Sequence, residues 1–334
     1  KNIFINIGGS DIRVRASRGI VAVSRADNEV YQDDIDRAVQ ASRAINLENN
    51  RMILHAITRE FIVDSVGDIR DPLGMIGNRL EVNSLIIDAF SPSVKNITKC
   101  VEMAGATIGG LIFSPLASSQ SVLTKNQKEL GVALVDVGFS TTSICVYEEN
   151  RLVHAAIFPI GSRNITNDLA IGLKTSVDVA EAVKLTFGSA SSKGISGRDN
   201  IDLKKIDPHS HNNVSRRFVV NIISERLAEI LEFVNNELKQ IGRAKQLPIG
   251  IVLVGGGSKI PNIVDLAKEE LGLPAQIGII DNALLEMPSG EIGLQAEDPE
   301  FVSAIGLLLW ARTQMIDDVS SIGGATSIFK KILR

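Results

Sequence analysis

The stretch Gly250-Ile-Val-Leu-Val-Gly-Gly-Gly-Ser-Lys-Ile-Pro-Asn262 constrains this chain more than any other. An apolar strand runs straight into Gly255, Gly256 and Gly257, and the pattern predicts a helix with Pro261 in its first turn that ends before Gly272 and Pro274. Successive glycines remove every Cβ at the strand's carboxyl end, so a ligand can lie against backbone amides near a helix start. In an open α/β sheet that edge is where ligands bind. A glycine-rich turn without a ligand has the same composition. The segment is not a dinucleotide fingerprint, because Ile260 stands at the third glycine position, and no G-x-x-x-x-G-K-[ST] loop occurs.

The rest of the chain fits an α/β reading. Strand-like runs cover Ile3 to Ile7, Met52 to Ile57, Val82 to Phe90, Gly131 to Asp136, Ser143 to Tyr147 and Gly250 to Val254. Helical spacing lies between them. Asp33 to Ile45 sets Ile35, Ala38, Val39, Ser42 and Ile45 on one face, Ser93 to Ala104 does the same with Val94, Ile97 and Val101, and the longest helix is predicted over Asn213 to Gln240. Residues 189 to 213, rich in Ser, Gly, Asp and Asn, read as a long loop.

With 334 residues, the chain is long enough for roughly two domains at about 150 residues each. Its 35 basic and 39 acidic side chains give a net charge of -4, which offers no overall basic field for nucleic acid. Cys100 and Cys145 are too few for a disulfide framework and are expected to be buried thiols in a reducing cytosol. The apolar run Ala304 to Ala311 is far short of the ~20 residues that span a bilayer. Beginning at Lys1 in a strand-like run, the chain reads as a fragment whose N-terminal part is missing.

Two further motifs carry chemistry. In Val135-Asp136-Val137-Gly138-Phe139-Ser140-Thr141-Thr142 an aspartate at a strand end precedes a Gly/Ser/Thr hairpin. Asp136 suits a hydrated Mg²⁺, while amides and hydroxyls of Gly138, Ser140 and Thr141 suit phosphate oxygens; an ordinary hairpin turn is the other reading. Glu181 and Lys184 stand one helical turn apart, placed either to reach ribose hydroxyls or to form a solvated ion pair. His55, His154, His209 and His211 have no acidic or cysteine partners at ligand spacing.

The phosphate hairpin with its aspartate, the Glu/Lys helix and the glycine-rich loop, in this order, resemble the actin, heat-shock-chaperone and sugar-kinase ATPase superfamily. Within it, Phe113-Ser-Pro-Leu-Ala-Ser-Ser-Gln-Ser-Val-Leu123, Glu129-Leu-Gly-Val132, Pro159-Ile-Gly161 and Ala304-Ile-Gly306 are similar to the FtsA family of bacterial cell-division proteins over nearly the whole chain. The resemblance implies an actin/ribonuclease-H-like fold of two lobes. Subdomain 1A would take residues 1–17, 92–130 and 304–322, and subdomain 1C, the family's insertion, 18–91. Subdomain 2A would take 131–177 and 246–303, 2B 178–245, and a tail 323–334. Nucleotide would sit between 1A and 2A, with 2B covering the base.

The same resemblance implies ATP and Mg²⁺ as ligands, held by Asp136, Gly138, Ser140, Thr141, Glu181, Lys184, Gly255, Gly256, Gly257 and Lys259, with Asp136 nearest the metal. The family's first phosphate hairpin would precede Lys1. Phe139 stands where the superfamily usually has glycine, and Ser114 stands before Pro115 where actin has a water-orienting Gln or Glu, so turnover is expected to be weak. Implied partners are further copies of the chain through 1C, the C-terminal peptide of the tubulin-like FtsZ at Arg216, Arg217 and Arg226, and an anionic membrane. In the tail, Ile328, Phe329, Ile332 and Leu333 form an apolar stripe beside Lys330, Lys331 and Arg334, the pattern of a membrane-surface helix. The implied place is the cytoplasmic face of the membrane at the division septum. A PilM-like pilus-assembly protein and a sugar or acetate kinase are the alternatives.

Overall fold

Short β-branched runs bounded by Asn, Asp and Gly become strands, and segments with apolar residues three and four apart become the helices between them. The computed structural model describes residues 2–208, 213–280 and 298–321. They fall into two compact units, one of residues up to Gln120 with Arg151–Ala155 and Gly306 onward, the other of Ser121–Asn150 and Ala156–Ile305.

In the first unit, β1 (Asn2–Ile7) pairs in parallel with β6 (Thr107–Phe113). An antiparallel sheet of β2 (Arg13–Ala22), β3 (Arg51–Val63), β4 (Val66–Ile69) and β5 (Arg79–Phe90) has the order β2-β5-β3-β4. Helix α1 (Gln32–Arg43) packs on it through Ile35, Ala38 and Val39, against Phe61, Leu80 and Val82. Gly19 permits this approach: a Cβ there would lie 2.0 Å from the carbonyl oxygen of Ala38. Ser42 tightens the contact, accepting from Ser17 Oγ at its carbonyl (2.7 Å) and meeting Ser84 Oγ at 3.0 Å. The helix stops at Arg43, so Ile45 lies outside it.

Helix α2 (Ser91–Met103) departs from its expected burial, since it buries Val94 alone and leaves Ile97 43% exposed. Cys100 lies on its outer side and is exposed, contrary to the expectation of a buried thiol. The first unit also holds the start of α3 (Ser114–Val122), where Ser114 Oγ accepts from Asn6 Nδ2 at 3.2 Å.

The second unit is built on a five-stranded sheet of order β13-β12-β7-β8-β9, made of β7 (Val132–Val137), β8 (Thr142–Glu148), β9 (Arg151–Phe158), β12 (Gly250–Val254) and β13 (Ala275–Ile277). Strand β12 runs parallel to both β7 and β13, and every residue of β12 is buried, which explains its unbroken apolar sequence. Cys145 in β8 is buried as expected, and burial pushes its thiol well up. Around the sheet stand α4 (Lys125–Leu130), α5 (Ser162–Leu173), α6 (Val177–Phe187), α7 (Arg216–Gln240) and α8 (Ile263–Leu271), and α9 (Val302–Ser321) begins here.

The stretch expected to be one long loop is partly ordered: β10 (Asn200–Asp202) pairs antiparallel with β11 (Asn213–Ser215), which shortens the predicted long helix to a start at Arg216. Buried Ile201 and Leu203 supply the apolar anchors that its polar composition conceals. His209, His211 and the tail residues Ile328 to Arg334 lie outside the described residues.

Candidate functional site

Parallel pairing of β12 with β7 sets Val254 beside Asp136, so both strands deliver their carboxyl ends to one place. After Asp136 the chain turns through a hairpin in which Gly138 donates its amide to Thr141 O at 3.0 Å. The hairpin docks on the start of α5, where Ser162 and Arg163 donate their amides to the carbonyls of Gly138 and Phe139 at 2.9 and 2.8 Å. Gly161 allows this, since a Cβ would sit 2.7 Å from both carbonyl oxygens.

After Val254, Gly255 takes φ +83°, a left-handed backbone that favours glycine. A 3-10 turn follows over Gly256–Lys259, and its first bond is Ser258 N to Gly255 O at 3.0 Å. The amides of Gly256 and Gly257 precede that bond, at the start of a helical turn whose first N–H groups have no partner within the turn itself. This turn occupies the place where a helix was expected to begin, so Pro261 precedes α8. Asn262, at φ 66°, ties the turn to the end of α6 through Nδ2 to Ser189 Oγ at 2.9 Å.

These pieces line a cleft of about 420 Å³. Phe139 borders it from the hairpin, 60% exposed, and Gly256, Gly257 and Lys259 border it from the turn. Glu181, Lys184 and the apolar Leu185 form the wall from α6. Of the hairpin residues expected to reach a ligand, Gly138 has committed its amide internally, and Ser140 and Thr141 are not in the lining.

Glu181 and Lys184 are closer to one another than a solvated pair. Lys184 Nζ lies 2.7 Å from Glu181 Oε2 and 2.9 Å from Thr166 Oγ1, and Thr166 meets the same carboxylate oxygen at 2.5 Å. Burial acts to raise the Glu181 carboxyl, but the hydrogen bonds from Lys184 and Thr166 outweigh it and hold it below its ordinary value. Lys259 spans the mouth of the turn to Asp298 and Glu300, at 2.6 and 3.1 Å, and its hydrogen bond to Asp298 raises it further. Gly255 N donates to Pro299 O at 3.1 Å, so residues 298–300 form a strap over the glycines.

Asp136 lies beneath this turn and accepts from Ser303 Oγ at 3.4 Å. Among the described residues no group of three acidic, histidine or cysteine side chains is placed to hold a metal ion. His55 is buried in the first unit instead, where Nε2 accepts the Phe113 amide at 3.0 Å. Thr166, Asp298 and Glu300 were not singled out from the sequence. The only local signal was Ser162 and Thr166 four residues apart on one face of α5.

On α7, Arg226 gives two N–H groups to Asp168 at 2.5 and 3.0 Å and also pairs with Glu229. Arg216 pairs with Asp199 at 3.2 Å, while Arg217 is exposed. Of the three arginines, two are therefore already engaged within the chain.

Residues 133–306 match the family model of the cell division protein FtsA, and residues 9–88 match that of the SHS2 domain inserted in FtsA. The cell division protein FtsA of Pseudomonas aeruginosa is 33% identical over 97% of this chain and 76% of its own length. That of Neisseria meningitidis is 37% identical over 92% of this chain and 72% of its own. Among solved structures, the PilM-PilN type IV pilus biogenesis complex superposes with a TM-score of 0.63 at 17% identity, covering 92% of this chain and 79% of that one. MreB5 of Spiroplasma citri bound to AMPPNP gives 0.53 at 18% identity over 69% and 66%. The fold is actin-like, and the matches to family and relatives together establish that the chain belongs to the FtsA family of cell division proteins.

Proposed function

We propose that this cell-division protein binds Mg-ATP in the cleft of its second unit and works as a nucleotide-stabilised filament subunit. The observation that carries the reading is that Gly256 and Gly257, at the start of the 3-10 turn, line one cleft together with the Glu181 carboxylate. Amides suit an anionic or polar ligand edge and the carboxylate suits sugar hydroxyls. The apolar lining from Leu185 and Ile260 suits a nucleobase. Asp136 is a single carboxylate, which fits a Mg²⁺ that keeps several waters and is held mainly by phosphates.

Slow turnover belongs to the same reading, because Ser114 is shorter than a water-orienting amide or carboxylate. Residues 18–91 are proposed as subdomain 1C, making the head-to-tail contact between copies. Arg217, on the same helix as the engaged Arg216 and Arg226, is proposed to meet the acidic peptide of FtsZ. The tail around Phe329 is proposed to hold the assembly to the cytoplasmic membrane face at the septum, tethering FtsZ filaments there. Among the described residues no helix is long and apolar enough to cross a membrane.

Isothermal titration with Mg-ATP tests the reading. Binding by the unaltered chain and its loss in a folded Gly256→Trp variant are expected; equal affinity in both would place the nucleotide elsewhere.

A further inference from the structure

Thr166 lies behind the charged wall of the cleft, 2% exposed, on the face of α5 that meets α6. A hydroxyl has one proton to give and two lone pairs. The contact of 2.5 Å to Glu181 Oε2 uses the proton, and Lys184 Nζ at 2.9 Å donates into a lone pair.

An ammonium has three N–H donors. Those of Lys184 find Thr166 Oγ1, Glu181 Oε2 at 2.7 Å and, more loosely, the Ser162 carbonyl at 3.5 Å. With its donors matched to acceptors of the chain and only 7% of the residue exposed, Lys184 has little left for a ligand. Glu181 is different. Both bonds converge on Oε2, its side chain is 36% exposed, and Oε1 takes part in neither.

We propose that Thr166 is a positioning residue which, together with Lys184, aims Oε1 of Glu181 at a sugar hydroxyl and so makes the cleft selective for nucleotides with an intact ribose diol. This rests on nucleotide binding in the cleft and adds a division of labour to it. Glu181 contacts the ligand, Lys184 is its internal counter-ion, and Thr166 fixes the geometry of the pair. A hydrogen bond to a charged acceptor is both strong and directional, so a carboxylate free to swing discriminates less than one held from behind.

Titrations of the full chain with ATP, 2′-deoxy-ATP and 3′-deoxy-ATP provide the test. The unaltered protein is expected to bind at least one deoxy analogue about tenfold more weakly than ATP, the worth of one hydrogen bond to a charged group. Thr166→Val removes the hydroxyl at constant shape and is expected to bring the three affinities within about threefold of each other. Thr166→Ser keeps the hydroxyl and is expected to retain the unaltered ratio. No ATP binding by the unaltered chain would remove the nucleotide reading itself. ATP binding without sugar discrimination, or discrimination unchanged in a folded Thr166→Val, would overturn the present inference alone. Should Thr166→Val not fold, the serine variant decides, because a ratio lost with the hydroxyl still present would overturn it as well.

Discussion

Gly255 and Asp136 meet so closely that a Cβ on residue 255 would lie 2.3 Å from Oδ1 of the aspartate. The contact joins the ends of two parallel strands, and it sets the glycine turn directly over the carboxylate proposed to stand near the metal. Three consecutive glycines thus have different physical duties. Gly255 provides a left-handed backbone, Gly257 clears Val137, whose Cγ1 would be 2.4 Å from an added Cβ, and Gly256 faces the cleft.

Substitutions should separate these duties. At Gly256 the nearest atom to an added Cβ is Glu300 Oε1 at 3.4 Å, so Gly256→Trp is expected to change stability by less than about 0.5 kcal/mol while abolishing nucleotide binding. Gly255→Ala should cost about 1–3 kcal/mol through its positive φ and its clash with Asp136. Chemical denaturation and ATP titration of both variants check the contrast, and an intact Gly255→Ala would contradict it.

Gly19→Ala probes the sheet-on-helix packing of the first unit. With the Ala38 carbonyl 2.0 Å from the new methyl group, α1 must move away from β2. A loss of about 1–3 kcal/mol in urea denaturation is expected.

His55 makes stability depend on pH. Burial lowers its imidazole from an ordinary 6.5 to about 4, and only the neutral ring can accept the Phe113 amide. Between these values the unfolded chain binds the proton and the folded chain does not, so stability is complete above the unfolded value and declines as pH falls toward 4. The difference corresponds to about 3 kcal/mol at most. Thermal denaturation at pH 7 and pH 5 should show a smaller acid loss in His55→Gln, whose side-chain carbonyl also accepts the amide but does not titrate.

The arginines of α7 should divide into structural and available groups. Arg226→Ala breaks the two-pronged contact with Asp168 and is expected to cost about 1 kcal/mol of stability. Arg217→Ala should leave stability within about 0.5 kcal/mol and weaken FtsZ-peptide binding in a salt-dependent way. Calorimetry for stability and fluorescence anisotropy for the peptide at two salt concentrations measure these effects. Unchanged peptide affinity in Arg217→Ala would move the contact away from this surface.

The sequence by itself determined what depends on neighbours along the chain. Alternation and apolar runs located β1, β5, β7, β8, β12 and the first half of β3, though not β2, β6 or β9, the i, i+3 spacing put Glu181 and Lys184 on one helix face, and the glycine run announced a place where side chains are absent. These are short-range demands, legible wherever they occur. Only the tertiary structure decided how distant side chains use their charges and hydrogen bonds. Thr166 is 15 residues from Glu181, Lys259 is 39 from Asp298, and Arg226 is 58 from Asp168, so each pairing exists only after helices and strands have packed in register. Burial was decided at the same level. Ile97 and Cys100 carry an apolar helical pattern, yet α2 buries only Val94, because amphipathic spacing states which face is suited to burial and not how much surface stands opposite to cover it.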